Sequence, residues 1–389
     1  MRKTFPQERP RWPILPAGIL LVWIGSFAGP DRALAQTIVE NPAKPKAVNA
    51  GRVVAPQEVL AISDEGTDEF YFKYPWRLKT TPDGSLLVRD VDQVLHFDRN
   101  GKFLRNLFKK GQGPGELTYV GSILAVEKSI VVQSNSPNKL IFFDASGKFE
   151  KEIPIRSEGR TSMTPLHYSK GVFYFQAREF PRVSGDPDYV DAPETIVAVN
   201  ETTLEAKPGA SFPVRSFVIT QGGGGGMFQI ASLITVPFMG GSLVLTHTSE
   251  YLLKIYDPAA VKVVREFRRA YDRVKPEPLT EEQKKGSMII DGKHYGPPEQ
   301  KFQNDVRNLL SHGDEIWAVT STKDKVKGIL VDIFDGEGVY RDCFWLKLPE
   351  AALKSVLSPG SCALDGEFLW VVERSEDDTF AIKKYRVVI

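Results

Sequence analysis

The chain has 389 residues, with 50 Lys and Arg against 49 Asp and Glu, a formal net charge of +1. Charges of both signs are interspersed, so the clustered basic face that nucleic acid requires is absent, and two cysteines are too few for a disulfide-dense scaffold or a Cys-based zinc site. Aromatic and β-branched residues are plentiful, and the 32 Gly and 27 Pro are spread throughout, which favours strands and turns over helices.

The first element is a leader. Arg2, Lys3, Arg9 and Arg11 form a basic start, residues 12–30 an apolar run, and Ala33-Leu34-Ala35 the small residues a signal peptidase reads. Residues 1–35 are therefore expected to be a signal peptide cleaved before Gln36, with the mature protein in the periplasm or outside the cell. The alternative is an uncleaved N-terminal anchor, since the run approaches spanning length. No later segment is apolar enough to span a bilayer, so no membrane span is expected after signal removal. Residues 36–52 read as a flexible lead-in, and residues 53–389 as one all-β domain.

Residues 53–63 have strand character but no neighbour in sequence to pair with. Residues 76–80 then open a unit that recurs. Its second strand (84–90) returns at 128–134, 171–177, 241–247, 314–320 and 366–373. Its third strand carries the clearest repeat: Leu95-His96-Phe97-Asp98-Arg99-Asn100-Gly101-Lys102-Phe103 matches Ile141-Phe142-Phe143-Asp144-Ala145-Ser146-Gly147-Lys148-Phe149. Each reads as strand, Asp-x-x-Gly turn, strand, with Gly supplying the positive φ of the turn. Looser copies end at Asn200, Asp257 and Asp335, and a last one spans 382–388. Six units of four strands are the pattern of propeller blades. The sixth unit has only three strands, so residues 53–63 are expected to add its outer strand and close the ring, because an open sheet edge is an aggregation hazard.

The stretch Gly101-Lys102-Phe103-Leu104-Arg105, followed by Gly111-Gln112-Gly113-Pro114-Gly115-Glu116, resembles the first blade of exported bacterial six-bladed β-propeller proteins of the NHL-like kind. The strong match covers residues 70–150. The resemblance implies a six-bladed propeller of four-stranded antiparallel blades, and export. It implies no single activity, because propellers serve as binding modules, lactonases and lyases alike.

Motifs of chemistry are few. Gly111 to Glu116 lacks the Lys-Ser/Thr of a phosphate loop and reads as a tight inter-blade connection. The five glycines 222–226 read as a flexible loop. The five histidines (His96, His167, His247, His294, His312) show no metal-pair spacing, and no Gly-x-Ser-x-Gly is present. No cofactor motif is evident. A divalent metal such as calcium is left open by Asp90 and Asp92, although aspartates in strand-to-strand turns usually serve the turn itself. An oxidising compartment would let Cys343 and Cys362 pair, whereas Cys343 is expected on an outer strand and Cys362 near an inner one, a separation that favours unpaired thiols and leaves the pairing open.

Connection length points to a functional face. The turns after the first and third strands of each unit are short, whereas every long connection (177–193, 221–226 and 275–305) falls on the opposite face. In the last of these, Thr280 and Gln283 suggest a capping box and Asp291-Gly292 a turn. The second-strand ends expected around the channel mouth on that face are Arg89, Asp90, Gln133, Gln176, His247, Glu373 and Arg374. This mixed polar set suits a small polar ligand, a peptide or a protein partner. The expected function is a non-catalytic binding or scaffold module. The alternative is an enzyme, a lactonase-like hydrolase or a lyase, with its site at the channel mouth.

Overall fold

The computed structural model describes residues 38–389 except 157–159, 161, 185, 222–223, 282–283, 285 and 287; the expected signal peptide lies outside the described residues, as does Gln283 of the capping box. Three strands come first: β1 (Val39–Asn41), β2 (Arg52–Val54) and β3 (Gln57–Ser63). The first blade is β4 (Trp76–Thr80), β5 (Leu86–Arg89), β6 (Val94–Phe97) and β7 (Phe103–Asn106). The second is β8 (Val120–Val126), β9 (Ser129–Asn135), β10 (Asn138–Asp144) and β11 (Phe149–Pro154). The third comprises β12 (Ser162–Ser169), β13 (Val172–Arg178), β14 (Asp188–Asn200) and β15 (Ala206–Gln221), extended by β16 (Gly224–Gln229). The fourth is β17 (Ile234–Pro237), β18 (Leu243–Thr246), β19 (Leu253–Asp257) and β20 (Lys262–Arg269), with β1 outside it. A separate hairpin, β21 (Met288–Ile290) and β22 (Lys293–Tyr295), precedes the fifth blade. That blade holds β23 (Val306–His312), β24 (Glu315–Asp324), β25 (Gly328–Asp335) and β26 (Tyr340–Leu346), with β2 outside it. Helix α1 (Glu350–Val356) leads to β27 (Cys362–Asp365), β28 (Phe368–Arg374) and β29 (Phe380–Arg386), and β3 pairs antiparallel with β29, Ile62 opposite Ile382.

The first strands form a ring: β4 touches β8, then β12, β17, β23 and β27 follow in turn, and β27 touches β4. Packing explains why the strands read as apolar runs. Side chains alternate between the two faces of a strand. Leu86 and Val88 of β5 pack with Trp370, Val372 and Ile382 of the sixth blade, while Leu87 between them packs with Ile123 and Val132 of the second. Each blade is thus buried on both faces, and one apolar cluster lies between every adjacent pair. The Asp-x-x-Gly turns form as expected. Asp98 Oδ1 accepts from the backbone N–H groups of Asn100 and Lys102, both at 2.9 Å, with Gly101 at φ 79°.

Three readings of the sequence change. Part of the expected lead-in is paired: β1 pairs parallel with β20, and β2, from Arg52, with β26, so Val53 and Val54 edge the fifth blade and only Gln57–Ser63 of the stretch 53–63 joins the sixth. The stretch 177–193 is part strand, because β14 and β15 form a long hairpin beyond the blade. Of the glycine run, Gly224, Gly225 and Gly226 belong to β16 and pair with β15. A side chain at Gly226 would collide with the Met288 sulfur, so glycine here lets the β21–β22 hairpin approach. Ile219, Ile290 and Tyr295 then form a small core with Met288, Phe217 and Phe228 packed on it. The long connections therefore converge on one another. Cys343 on β26 and Cys362 on β27 are both buried and unpaired, as their strand placement required.

Candidate functional site

A cavity of 480 Å³ runs between the first strands, walled by all six blades. Trp76 pairs with Arg89 and Leu78 with Val88, which leaves Arg77 as the extra residue of a β-bulge. Arg77 has φ 54°, a left-handed conformation uncommon outside glycine and typical of bulges that re-aim a side chain. Its guanidinium lines the cavity and donates to Ser122 Oγ at 3.2 Å, while its Nε is buried without a partner. Lys79, two residues on, also lines the cavity, and among the described residues no hydrogen bond or ion pair is recorded for its ammonium. Burial pulls the Arg77 guanidinium below its ordinary value. Burial and then the charge of Arg77 do the same to Lys79. The third cation of the wall, Arg178, is paired with Glu194 at 2.8 Å. The remaining polar wall includes Ser122, Thr164, Gln176, Thr235 and Asn308, and no Asp or Glu lines it among the described residues.

Above the channel, on the face of the long connections, lies a groove of 770 Å³. Its wall is formed by residues 276–279, 297–300, 303–304 and 306–307 with Ser232, Lys323 and Leu357, and it meets the channel at Ile234 and Pro359. Arg307 occupies the bulge of β23, between Val306 opposite Thr320 and Asn308 opposite Val319, the position that Arg77 holds in β4. It donates to Gln303 Oε1 at 3.3 Å, and burial pulls it below its ordinary value too. Glu277 and Glu299 give this groove acidic members that the channel lacks. A smaller cavity of 320 Å³ at the other end is lined by Lys79, Glu127 and His167 among others.

Of the seven residues that the sequence proposed for the mouth, only Gln176 lines the channel cavity. Three serve as ties between blades. Arg89 donates from Nε and a terminal nitrogen to the Val120 carbonyl at 2.9 and 2.6 Å and lies over the Trp76 ring; burial pulls it down to about 10. Gln133 donates to the Met163 carbonyl at 2.6 Å, and Gln176 to the Leu233 carbonyl at 3.3 Å. In each case a second strand reaches the start of the next blade. Asp90 is buried and accepts from the backbone N–H groups of Lys73, Tyr74 and Val91, while Asp92 pairs with Lys73 at 2.9 Å. His247 donates from Nδ1 to the Pro213 carbonyl at 2.9 Å, with Nε2 buried and unpartnered. Glu373 accepts from the Tyr385 hydroxyl at 2.6 Å and pairs with Lys383, and Arg374 donates to Asp378 at 3.0 Å. Arg77, Lys79 and Arg307 were not anticipated. The available signal was the alternation Arg77-Leu78-Lys79 on a first strand, where the off-core positions face a channel rather than open solvent.

Residues 57–194 match a family described as 6-bladed beta-propeller. The six sheets and their ring of first strands agree with it over the remaining length. The chain is a six-bladed β-propeller. Among solved structures, a Bacteroides fragilis protein inferred to be exported is similar over 91% of this chain and 100% of its own, with 12% identity and a TM-score of 0.51. A member of the DUF4221 family from Bacteroides vulgatus is similar over 87% and 99%, with 10% identity and a TM-score of 0.52. No curated protein matches the sequence. At such identities the propeller shares its fold with these structures, and its function must be argued from its own side chains.

Proposed function

We propose that this propeller is an exported, non-catalytic binding module whose ligand, a small polar molecule or the tip of a peptide, enters from the long-connection face and seats in the central channel. The observation that carries this reading is the 480 Å³ channel cavity, polar-walled and continuous at Ile234 and Pro359 with the groove above it. Concave sites with a few convergent polar groups are where small ligands bind. The channel wall offers hydroxyls, amides and cations but no His, Asp or Glu among the described residues, which favours holding a ligand over moving its protons. The leader supports export to the periplasm or beyond, and N-terminal sequencing of the mature protein is expected to begin near Gln36.

In the same reading the β3–β29 pairing is the clasp of the ring. Deleting residues 36–65 is expected to expose three strand edges and yield aggregating protein; an unchanged melting temperature would refute the clasp. The binding reading is tested by a thermal-shift screen of small polar compounds on the mature chain, followed by hydrogen exchange with each hit. Protection is expected at residues 76–80, 276–279 and 303–311. Protection confined to the opposite-face turns at Asp98 and Asp144 would place the ligand elsewhere and defeat it.

A further inference from the structure

We infer that the channel ligand is a small oxyanion, a carboxylate or phosphate group carried by a compact molecule, held by Arg77 and Lys79 of β4. The inference rests on the reading that the channel is the binding site, and it names the ligand's chemistry.

Three observations converge. The first is charge. The channel wall contains Arg77, Lys79 and Arg178, and Glu194 neutralises only Arg178, so two positive charges remain without a carboxylate among the described residues. The second is hydrogen-bonding capacity. A guanidinium has five N–H donors and an ammonium three. Here one bond to Ser122 uses part of the first, whose face lies over the Trp76 ring, and among the described residues none bonds the second, while Nε of Arg77 is buried and unpartnered. The third is backbone. The bulge of β4 holds Arg77 at φ 54°, and sparsely populated conformations of this kind persist at ligand clamps where the surroundings over-determine them.

The neighbours complete an anion site. Ser122, Thr164 and Thr235 bring hydroxyls and Asn308 an amide to the same cavity. Asn308 Nδ2 itself is spent on the Val356 carbonyl at 2.9 Å, so the hydroxyls are the groups left to share a ligand oxygen. The guanidinium fork matches a carboxylate or phosphate edge, whereas the ammonium acts as a point charge beside it. The groove at the entrance is of mixed charge, with Arg307 at the equivalent bulge of β23 and Lys323 set against Glu277 and Glu299, so the unbalanced positive charge belongs to the channel. The cavity volume admits a compact anion and not a polymer.

The test compares inorganic phosphate, succinate and uncharged erythritol on the mature chain, by calorimetry and thermal shift, at ionic strength matched with chloride. Phosphate or succinate is expected to bind and erythritol not to. Which of the two binds more tightly separates a phosphate-bearing from a carboxylate-bearing ligand. The double variant Arg77→Gln/Lys79→Met is expected to lose affinity about a hundredfold, roughly tenfold for each charge-assisted contact. Should that variant fail to fold, Arg77→Lys keeps the charge, removes the fork and is expected to weaken binding about tenfold. Equal binding of the anion to wild type and variants overturns the inference. So does erythritol binding in the channel as tightly as succinate, an outcome that leaves the channel site itself intact. Anion-induced protection mapped away from residues 76–80 and 306–311 overturns both.

Discussion

A buried arginine between two blades and a half-buried pair of cations in the channel are treated in opposite ways. Arg269, at the end of β20 between the fourth and fifth blades, donates to Asp332 at 2.7 Å. The hydroxyls of Tyr251 and Tyr340 donate to the two oxygens of the same carboxylate at 2.7 and 2.6 Å, and the rings of Tyr251, Tyr271 and Tyr340 surround the guanidinium. Burial pulls Arg269 down, but Asp332 and the two tyrosines together outweigh it and lift Arg269 above the ordinary arginine value. In the channel, Arg77 and Lys79 are burdened by burial in the same way but have no carboxylate, and both fall below their ordinary values. Taking a charge out of water costs free energy that only a partner offsets. Where the fold itself needs a cation, it has placed the anion beside it. In the channel the counter-charge is left to water or to a ligand.

The largest effect expected from this contrast is at Asp332. Asp332→Ala strands Arg269 and two tyrosine hydroxyls in the blade interface and should destabilise by about 3–5 kcal/mol, read from the urea midpoint. A loss below about 1 kcal/mol, the scale of a surface pair, would show that the network is not what separates the two regions. Arg89→Ala comes next. It removes a charge-assisted contact to the Val120 carbonyl and the stacking over Trp76, with an expected loss of about 1.5–3 kcal/mol. This effect sharpens the comparison, because Arg89 is a cation satisfied by backbone rather than by a carboxylate.

Lys79→Met should have the smallest effect on the ligand-free protein, and one of opposite sign. The folded-state value of Lys79 lies below the ordinary 10.5. Between the two values the unfolded chain binds the proton more tightly, so stability contributed by this group rises as pH rises through that window, and below it the charged amine destabilises the fold by a constant amount. The variant is therefore expected to be as stable as wild type or slightly more so near neutral pH, with the difference shrinking as pH approaches 10.5. A variant clearly less stable than wild type at pH 7 would mean that Lys79 has a structural partner after all. The thiols offer a separate check on blade order. Burial pushes Cys362 up to about 12 and raises Cys343 as well. Both should resist alkylation at pH 8 in the native state and react fully in urea; a Cys343–Cys362 linked peptide would contradict their strand placement.

Features that depend on near neighbours are legible in the order of residues alone. The Asp98–Gly101 and Asp144–Gly147 turns are read correctly because an aspartate oxygen, the N–H groups two and four residues on, and a glycine at positive φ are all local. The six-fold recurrence of strands, the faces on which short and long connections fall, and the separation of the two cysteines followed from the same local periodicity. Which polar side chains face the channel did not. Arg89 and Gln133 carry the residue types of a ligand site, yet the next blade supplies a carbonyl within reach and uses them. Arg77 and Lys79 lie in an ordinary-looking strand, and only a bulge and the closing of the ring turn them toward the axis. Residues 39–41 look like a tether, and 53–54 like the start of the sixth blade's outer strand, until outer strands more than two hundred residues away offer them an edge. Turns and strand periods are written within a few residues, whereas the satisfaction of a polar group depends on what the tertiary structure brings within about 3 Å of it, and in a ring of blades those atoms come from a distant part of the chain.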